Sequence, residues 1–245
     1  MKDVILYFST KFKGDQYQIY KHIQNGSQIP NKEIENIKSN LRNLGIEYKT
    51  IIENDYPKEL YEINECVFAI YYRGNYDLVA AKEKFYIINE LWDTYNWSII
   101  NKNLDVLVKE VVLITNDYKK TESEFVNLFR SKGGKIIHLA KEGLDSYDYR
   151  GMNLDNELVI SQYPPDTHPQ IKYFKQSNFI AATLAKCLLS LSLKKESKSN
   201  NLISAFLNLG KEIFCFPGSD IDDGNNQLIA SGANLIWSIS KVLNI

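Results

Sequence analysis

Between Thr167 and Cys215 seven lysines, Lys172, Lys175, Lys186, Lys194, Lys195, Lys198 and Lys211, face only two acidic residues, Glu196 and Glu212. A local basic excess of this kind is what holding a phosphate backbone requires. Tyr173 and Phe174 lie among the first of these lysines. Cations beside aromatic faces are the combination that grips a single strand: ammonium groups meet phosphates while a base stacks on a ring. The competing reading puts Phe174 in the core and leaves the lysines solvated. A second candidate group is Lys119-Lys120, set before a helix, where adjacent lysines either meet a phosphate or face solvent. A third is Lys194-Lys195-Glu196-Ser197-Lys198-Ser199. It follows an apolar strand and precedes a helical run, Leu202–Leu209, where unpaired backbone N–H groups favour an anion. Ser197 and Ser199 fit equally well as helix caps.

Residues for catalysis are not assembled in the same way. His22, His138 and His168 have no Ser or Cys nucleophile beside them in sequence, and a lone histidine reads more simply as structural. Asp220-Ile221-Asp222-Asp223-Gly224 has the acidic start of a calcium loop, but Gly falls at the fifth position and no Glu closes it. There is no Walker A loop and no G-x-G-x-x-G fingerprint. Cys66, Cys187 and Cys215 are odd in number, widely spaced and set in apolar runs, which predicts buried free thiols, not a disulfide or zinc framework. These residues predict a protein that is not an enzyme and needs no metal or cofactor.

The elements that must carry these groups are legible as periodicity. Ile34, Ile37, Leu41 and Leu44 recur at helical spacing and Gly45 supplies a stop, so residues 1–45 are expected to form a small helical region. From residue 46 to 245 a second domain is expected. Its apolar runs of strand length are Ile46–Ile52, Val67–Tyr72, Phe85–Ile88, Val111–Thr115, Lys135–Leu139, Leu158–Ser161, Leu188–Leu193 and Ile213–Phe216. Amphipathic segments separate them, and that alternation predicts an α/β fold with a mostly parallel sheet and helices on both faces. Residues 211–236 read as one β-turn-α-β unit, with Pro217-Gly218 stopping the strand. Asp145 to Asp155 reads as a surface connection.

Bulk properties bound the function. The 245 residues are 44% hydrophobic and 24% charged with a net charge of −1, which excludes a histone-like binder and leaves only a local basic patch. The apolar run at Met1–Phe8 is too short for a signal peptide, and the one at Phe179–Leu193 carries Lys186 and is too short to span a bilayer. A cytoplasmic protein with no membrane partner is therefore expected.

Several segments in one order resemble the DprA/Smf family of DNA-processing proteins. Ser161-Gln162-Tyr163-Pro164-Pro165-Asp166-Thr167 is similar to the family's SEYPPGT, and Phe174-Lys175-Gln176-Ser177-Asn178-Phe179-Ile180 to its FPxRNRI. Pro217-Gly218-Ser219 and Asn226-Gln227-Leu228-Ile229-Ala230-Ser231-Gly232-Ala233 resemble its last strand, loop and N-x-LI-x-x-GA run. Asp55-Tyr56-Pro57 and Tyr71-Tyr72-Arg73-Gly74-Asn75 resemble its entry into the domain. The resemblance implies an extended Rossmann-like domain that binds single-stranded DNA in natural transformation or recombination, hands it to the RecA recombinase, and forms a homodimer. It also implies that the region of Lys172, Phe174, Lys175 and Asn178 lines the nucleic-acid site; Lys119, Lys120, Lys194, Lys195 and Lys198 join it as candidates on charge and loop position alone, at places where the family carries small-residue turns. The chain departs from the family where VGSR is expected: Asn89-Glu90-Leu91-Trp92 lacks the small residue, the hydroxyl and the cation, which implies weakened phosphate binding. Two rival readings stand beside this one. They are a nucleotide-binding or phosphoribohydrolase-like Rossmann protein, and a degenerate module that keeps a protein partner but has lost its ligand.

Overall fold

The computed structural model describes residues 1–26, 28–61, 66–118, 121–220 and 223–243. In chain order its elements begin with α1 (Lys2–Lys11), α2 (Gln16–Gln24), α3 (Asn31–Asn43), β1 (Glu47–Thr50), β2 (Ala69–Gly74) and β3 (Lys84–Asn89). There follow α4 (Thr94–Glu110), β4 (Val112–Thr115), α5 (Ser123–Ser131), β5 (Lys135–Leu139), β6 (Glu157–Ser161) and α6 (Ile171–Leu184). The last are β7 (Cys187–Ser192), α7 (Asn200–Asn208), β8 (Glu212–Cys215), α8 (Gly224–Ala230), β9 (Asn234–Leu235) and α9 (Ser240–Leu243). Two compact units form: Met1–Val79 with Leu139–Phe174, and Ala80–His138 with Lys175–Ile245.

In the first unit, the helices expected for residues 1–45 are α1, α2 and α3. Asp15 caps α2 by accepting from the Gln18 N–H at 3.0 Å. The stop expected at Gly45 is a Schellman turn, because Gly45 N–H bonds to the Arg42 carbonyl and Ile46 N–H to the Leu41 carbonyl. Glycine suits the site because φ is +63° there. Leu41 and Ile46 then share one buried cluster with Leu6, Tyr71 and Val159. The unit's strands pair antiparallel, β1 with β2 and β2 with β6, with Tyr71 opposite Ser161. Asp145–Asp155 is only partly the surface connection that its polarity predicts. Tyr147, Tyr149 and Met152 turn inward onto that cluster, and the Tyr149 hydroxyl donates to the Leu144 carbonyl at 3.0 Å.

Gly74 ends β2 with φ at +107°, and a Cβ there would meet the Glu157 carbonyl oxygen at 2.2 Å. Backbone cannot yield as a flexible side chain can, so Gly74→Ala is expected to lower stability by about 1–3 kcal/mol through strain. The check is a urea midpoint compared with that of Gly133→Ala, whose Cβ would meet nothing within 4 Å.

The second unit carries parallel strands in the order β5-β4-β3-β7-β8-β9. Their interiors are continuous apolar runs because both faces are covered. Phe85 and Ile87 of β3 face a cluster with Ile100, Leu104 and Leu107 of α4 and Phe125 and Phe129 of α5. Tyr86 points to the opposite face, where its ring meets Phe206 of α7 edge-on at 6.2 Å. Helices therefore lie on both faces, as the alternation of strands and amphipathic segments predicts. Cys187 and Cys215 are buried free thiols, each pushed up to about 12 by burial, while Cys66 of the first unit is only half-buried. Among the described residues, no helix is long and apolar enough to cross a membrane.

Candidate nucleic-acid interface

From β3 the chain winds through α4, β4 and α5 to β5 on one side. From β7 it winds through α7, β8 and α8 to β9 on the other. The neighbouring pair β3 and β7 is thus a topological switch point, whose carboxyl ends are the usual ligand crevice of an open α/β sheet. The β3–β7 register shifts at Ile88/Asn89, where the loop in question leaves the sheet. Ser192 at the end of β7 donates to Asn89 Oδ1 at 2.8 Å and accepts from the Glu90 and Leu91 N–H groups at 3.1 and 3.0 Å. Glu90 itself is buried, and its carboxylate accepts from the Lys194 N–H at 3.0 Å and from the Ser197 and Ser199 hydroxyls at 2.6 and 2.9 Å. Ser197 and Ser199 are therefore not caps of α7, as their position suggests. Ser199 stands at the N-cap without a side-chain cap bond, and both hydroxyls go to Glu90.

A second polar group closes the ends of β4 and β5. Buried Glu122 accepts from Tyr86 Oη and Thr115 Oγ1 at 2.5 Å each, and from the Asn116 N–H at 3.0 Å. Burial raises its carboxyl above the ordinary value despite these three donors. Asn116 extends the network, because its Nδ2 donates to Asn178 Oδ1 at 2.9 Å and its Oδ1 accepts from Ser177. Tyr118 Oη also donates to Asn178 Oδ1, at 2.7 Å. Asn178 thus lies inside the second unit and positions the loop after β4 instead of facing solvent. His138, buried, has Nδ1 2.8 Å from Asp117 Oδ1, so this histidine is held by a partner 21 residues away that no local motif announces. His22 Nδ1 lies 2.9 Å from the Gln18 carbonyl, and its ring packs on Phe12.

The lysines divide by use. Lys186 pairs with Glu83 at 2.7 Å, and Lys211 Nζ caps the end of α6 by donating to the Thr183 and Ala185 carbonyls at 3.2 and 2.8 Å. These two serve the fold. Lys175, Lys194, Lys195 and Lys198 are exposed on the second unit. Lys119 and Lys120 lie outside the described residues. On the first unit Lys172 is exposed and its Nζ lies 5.4 Å from the Tyr173 ring centre, while that ring stacks on Tyr163 at 4.0 Å. Phe174 is 42% exposed, and Lys141 Nζ lies 5.6 Å from its centre. Lys141 went unread in the sequence, although its place directly after β5 is the available signal. Among the described residues, no three His, Cys, Asp or Glu side chains gather as a metal site.

A model of the family described as DNA recombination-mediator protein A matches residues 145–245. Over 206 residues the chain is 27% identical to DNA processing protein DprA of Streptococcus pneumoniae, spanning 79% of this chain and 72% of that protein. Against DprA of Bacillus subtilis it is 26% identical over 214 residues, or 82% and 71% of the two chains. Both relatives are DprA proteins, and the chain is similar to them over most of its length. The fold agrees: the crystal structure of S. pneumoniae DprA superposes with a TM-score of 0.71 at 22% identity, covering 100% of this chain and 98% of that one. DprA of Helicobacter pylori, solved for its single-stranded DNA binding mode, gives 0.65 at 22% identity over 81% and 94%.

The DprA motifs gain physical roles in this chain. Asn226, which opens the N-x-LI-x-x-GA run, staples the Pro-Gly-Ser loop by accepting from the Gly218 N–H at 3.0 Å and donating to the Asp220 carbonyl at 2.6 Å. Its neighbour Asn225 is fully buried and donates to the Phe216 carbonyl at 2.9 Å and the Leu191 carbonyl at 3.1 Å, fixing the β7–β8 crossover. Tyr163 of the SQYPPDT segment supplies the ring that Tyr173 stacks on.

Proposed function

We propose that this protein binds single-stranded DNA as a non-enzymatic DNA-processing protein of transformation or recombination. The observation that carries the reading is Phe174, a ring left 42% exposed with a lysine ammonium 5.6 Å from its centre. Such a surface offers a base a stacking platform and its phosphate a cation. Kinship with two DprA proteins, and the printed single-stranded DNA binding mode of the H. pylori neighbour, support it. Lys172 and Phe174 on the first unit, and Lys119, Lys120, Lys175, Lys194, Lys195 and Lys198 on the second, are the proposed contacts, with Asn178 as a positioning residue. Delivery of the strand to RecA and homodimerisation belong to the same proposal. So does weakened phosphate binding, since Asn89-Glu90-Leu91 presents a carboxylate in place of a cation.

Fluorescence anisotropy with single- and double-stranded oligonucleotides over a salt series tests the reading. Phe174→Ala is expected to weaken single-strand binding by roughly 1–3 kcal/mol per stacked base with the salt slope unchanged. Lys172→Glu is expected to flatten the slope by about 0.7. Binding unaffected by Phe174→Ala would move the strand elsewhere. Glu90, whose carboxylate takes the anion donors at the switch point, favours a second reading: a protein-interaction module that has lost DNA. Absence of single-strand binding by the parent at low salt selects that one.

A further inference from the structure

At the end of β3 the sheet's own carboxylate fills the place where an open α/β sheet receives an anion. Glu90 is 9% exposed; Oε2 accepts from the Lys194 N–H at 3.0 Å, and Oε1 accepts from Ser197 Oγ at 2.6 Å and Ser199 Oγ at 2.9 Å. Its own N–H donates to the Ser192 carbonyl at 3.1 Å, so the residue is tied at both ends. Lys194, Lys195 and Lys198 stand exposed on the loop that supplies these three donors. A buried carboxylate held by one amide and two hydroxyls has the coordination of a bound oxyanion. The two loops it joins are over 100 residues apart in sequence, and each leaves one strand of the switch-point pair.

We infer that Glu90 is an internal anion that latches the 193–199 loop onto the 89–91 loop and closes the switch-point crevice. An external oxyanion enters this place only when the Glu90 side chain is withdrawn. The latch also sets how the 194–198 lysines are displayed, because the Lys194 backbone is one of its three anchors. It stands whether or not the protein binds DNA.

The test uses the full chain and two variants, Glu90→Gly and Glu90→Gln, under native conditions. Trypsin cleavage after Lys194, Lys195 and Lys198 is followed by mass spectrometry, with inorganic phosphate or with chloride at equal ionic strength. Losing charge-assisted bonds should release the loop, so cleavage in Glu90→Gly is expected to be at least about tenfold faster than in the parent. Phosphate should slow it towards the parental rate where chloride does not, and should leave the parent unchanged. Glu90→Gln keeps the volume and loses the charge; its cleavage is expected between the two, without a phosphate response. Parental cleavage rates in both variants overturn the latch. Equal protection of parent and Glu90→Gly by phosphate, or none for Glu90→Gly, overturns the anion assignment and the proposal with it. If Glu90→Gly does not fold, Glu90→Gln decides alone: faster cleavage than the parent supports the latch, and an unchanged rate sinks it.

Discussion

Replacing Lys194, Lys195 and Lys198 together by glutamate is expected to lower single-stranded DNA affinity roughly a hundredfold at physiological salt. The number follows from counterion release. Each phosphate neutralised on a single strand contributes about −0.7 to the slope of log affinity against log salt, so three lost contacts flatten it by about 2. Near 0.15 M salt, a slope change of about 2 amounts to between one and two decades, and reversed charges add repulsion. All three side chains are exposed, so the thermal midpoint should hardly move. A changed midpoint with lost binding would mean that the lysines serve the fold. Intact affinity with an intact slope would place the strand on another surface, with Lys172 and Phe174 of the first unit the next to test.

Glu122→Ala is expected to cost about 3–5 kcal/mol of stability. Truncation strands three buried donors, the Tyr86 and Thr115 hydroxyls and the Asn116 N–H. Each unsatisfied donor costs about 1–3 kcal/mol, some re-pair, and a cavity adds its own cost. Glu122→Gln should cost less, because an amide oxygen still accepts. The parent and the Gln variant should also differ in pH dependence. Burial raises the Glu122 carboxyl above its usual value of 4.5, so the folded state holds this proton at a pH where the unfolded state has released it. Its contribution is most favourable below the unfolded value and falls as pH rises from about 4.5 to the raised folded value, then stays level. Urea midpoints from pH 4 to 8 should show the parent losing stability against Glu122→Gln across that window. A constant difference would mean that the carboxyl is not shifted.

The two expectations differ in how far local sequence leads to them. Lys194, Lys195 and Lys198 were readable as candidates, since a basic run after an apolar strand needs only counting. Glu122 was not readable. It follows the Lys119-Lys120 pair without periodicity, and its partners Tyr86 and Thr115 come from two different strands. Asn178 shows the same limit from the other side. Its motif marked it as a nucleic-acid contact, but a motif carries no depth, and the packing of α6 against the loop after β4 buries its side chain against Asn116 and Tyr118. Ser197 and Ser199 satisfied the sequence criterion for helix caps, yet a stronger acceptor arrived from 107 and 109 residues away.

By itself the sequence determined where strands and helices form, because each depends on spacing within a few residues. Apolar runs such as Phe85–Ile88 and Lys135–Leu139 became buried parallel strands, and Gly45 ended α3 through its own backbone freedom. It also carried, in readable order, segments that resemble the motifs of the DprA family. Only the tertiary structure decided which loops meet. The order β5-β4-β3-β7-β8-β9 brings the end of β3 beside the end of β7, and that adjacency turned Glu90 from an unfavourable charge into a satisfied one; at the opposite ends of the strands the same order sets Lys186 against Glu83 and Lys211 against the end of α6. Strand order is settled by the burial of whole faces and by long-range pairing, whose free energy is shared among many residues, so no local spacing records it.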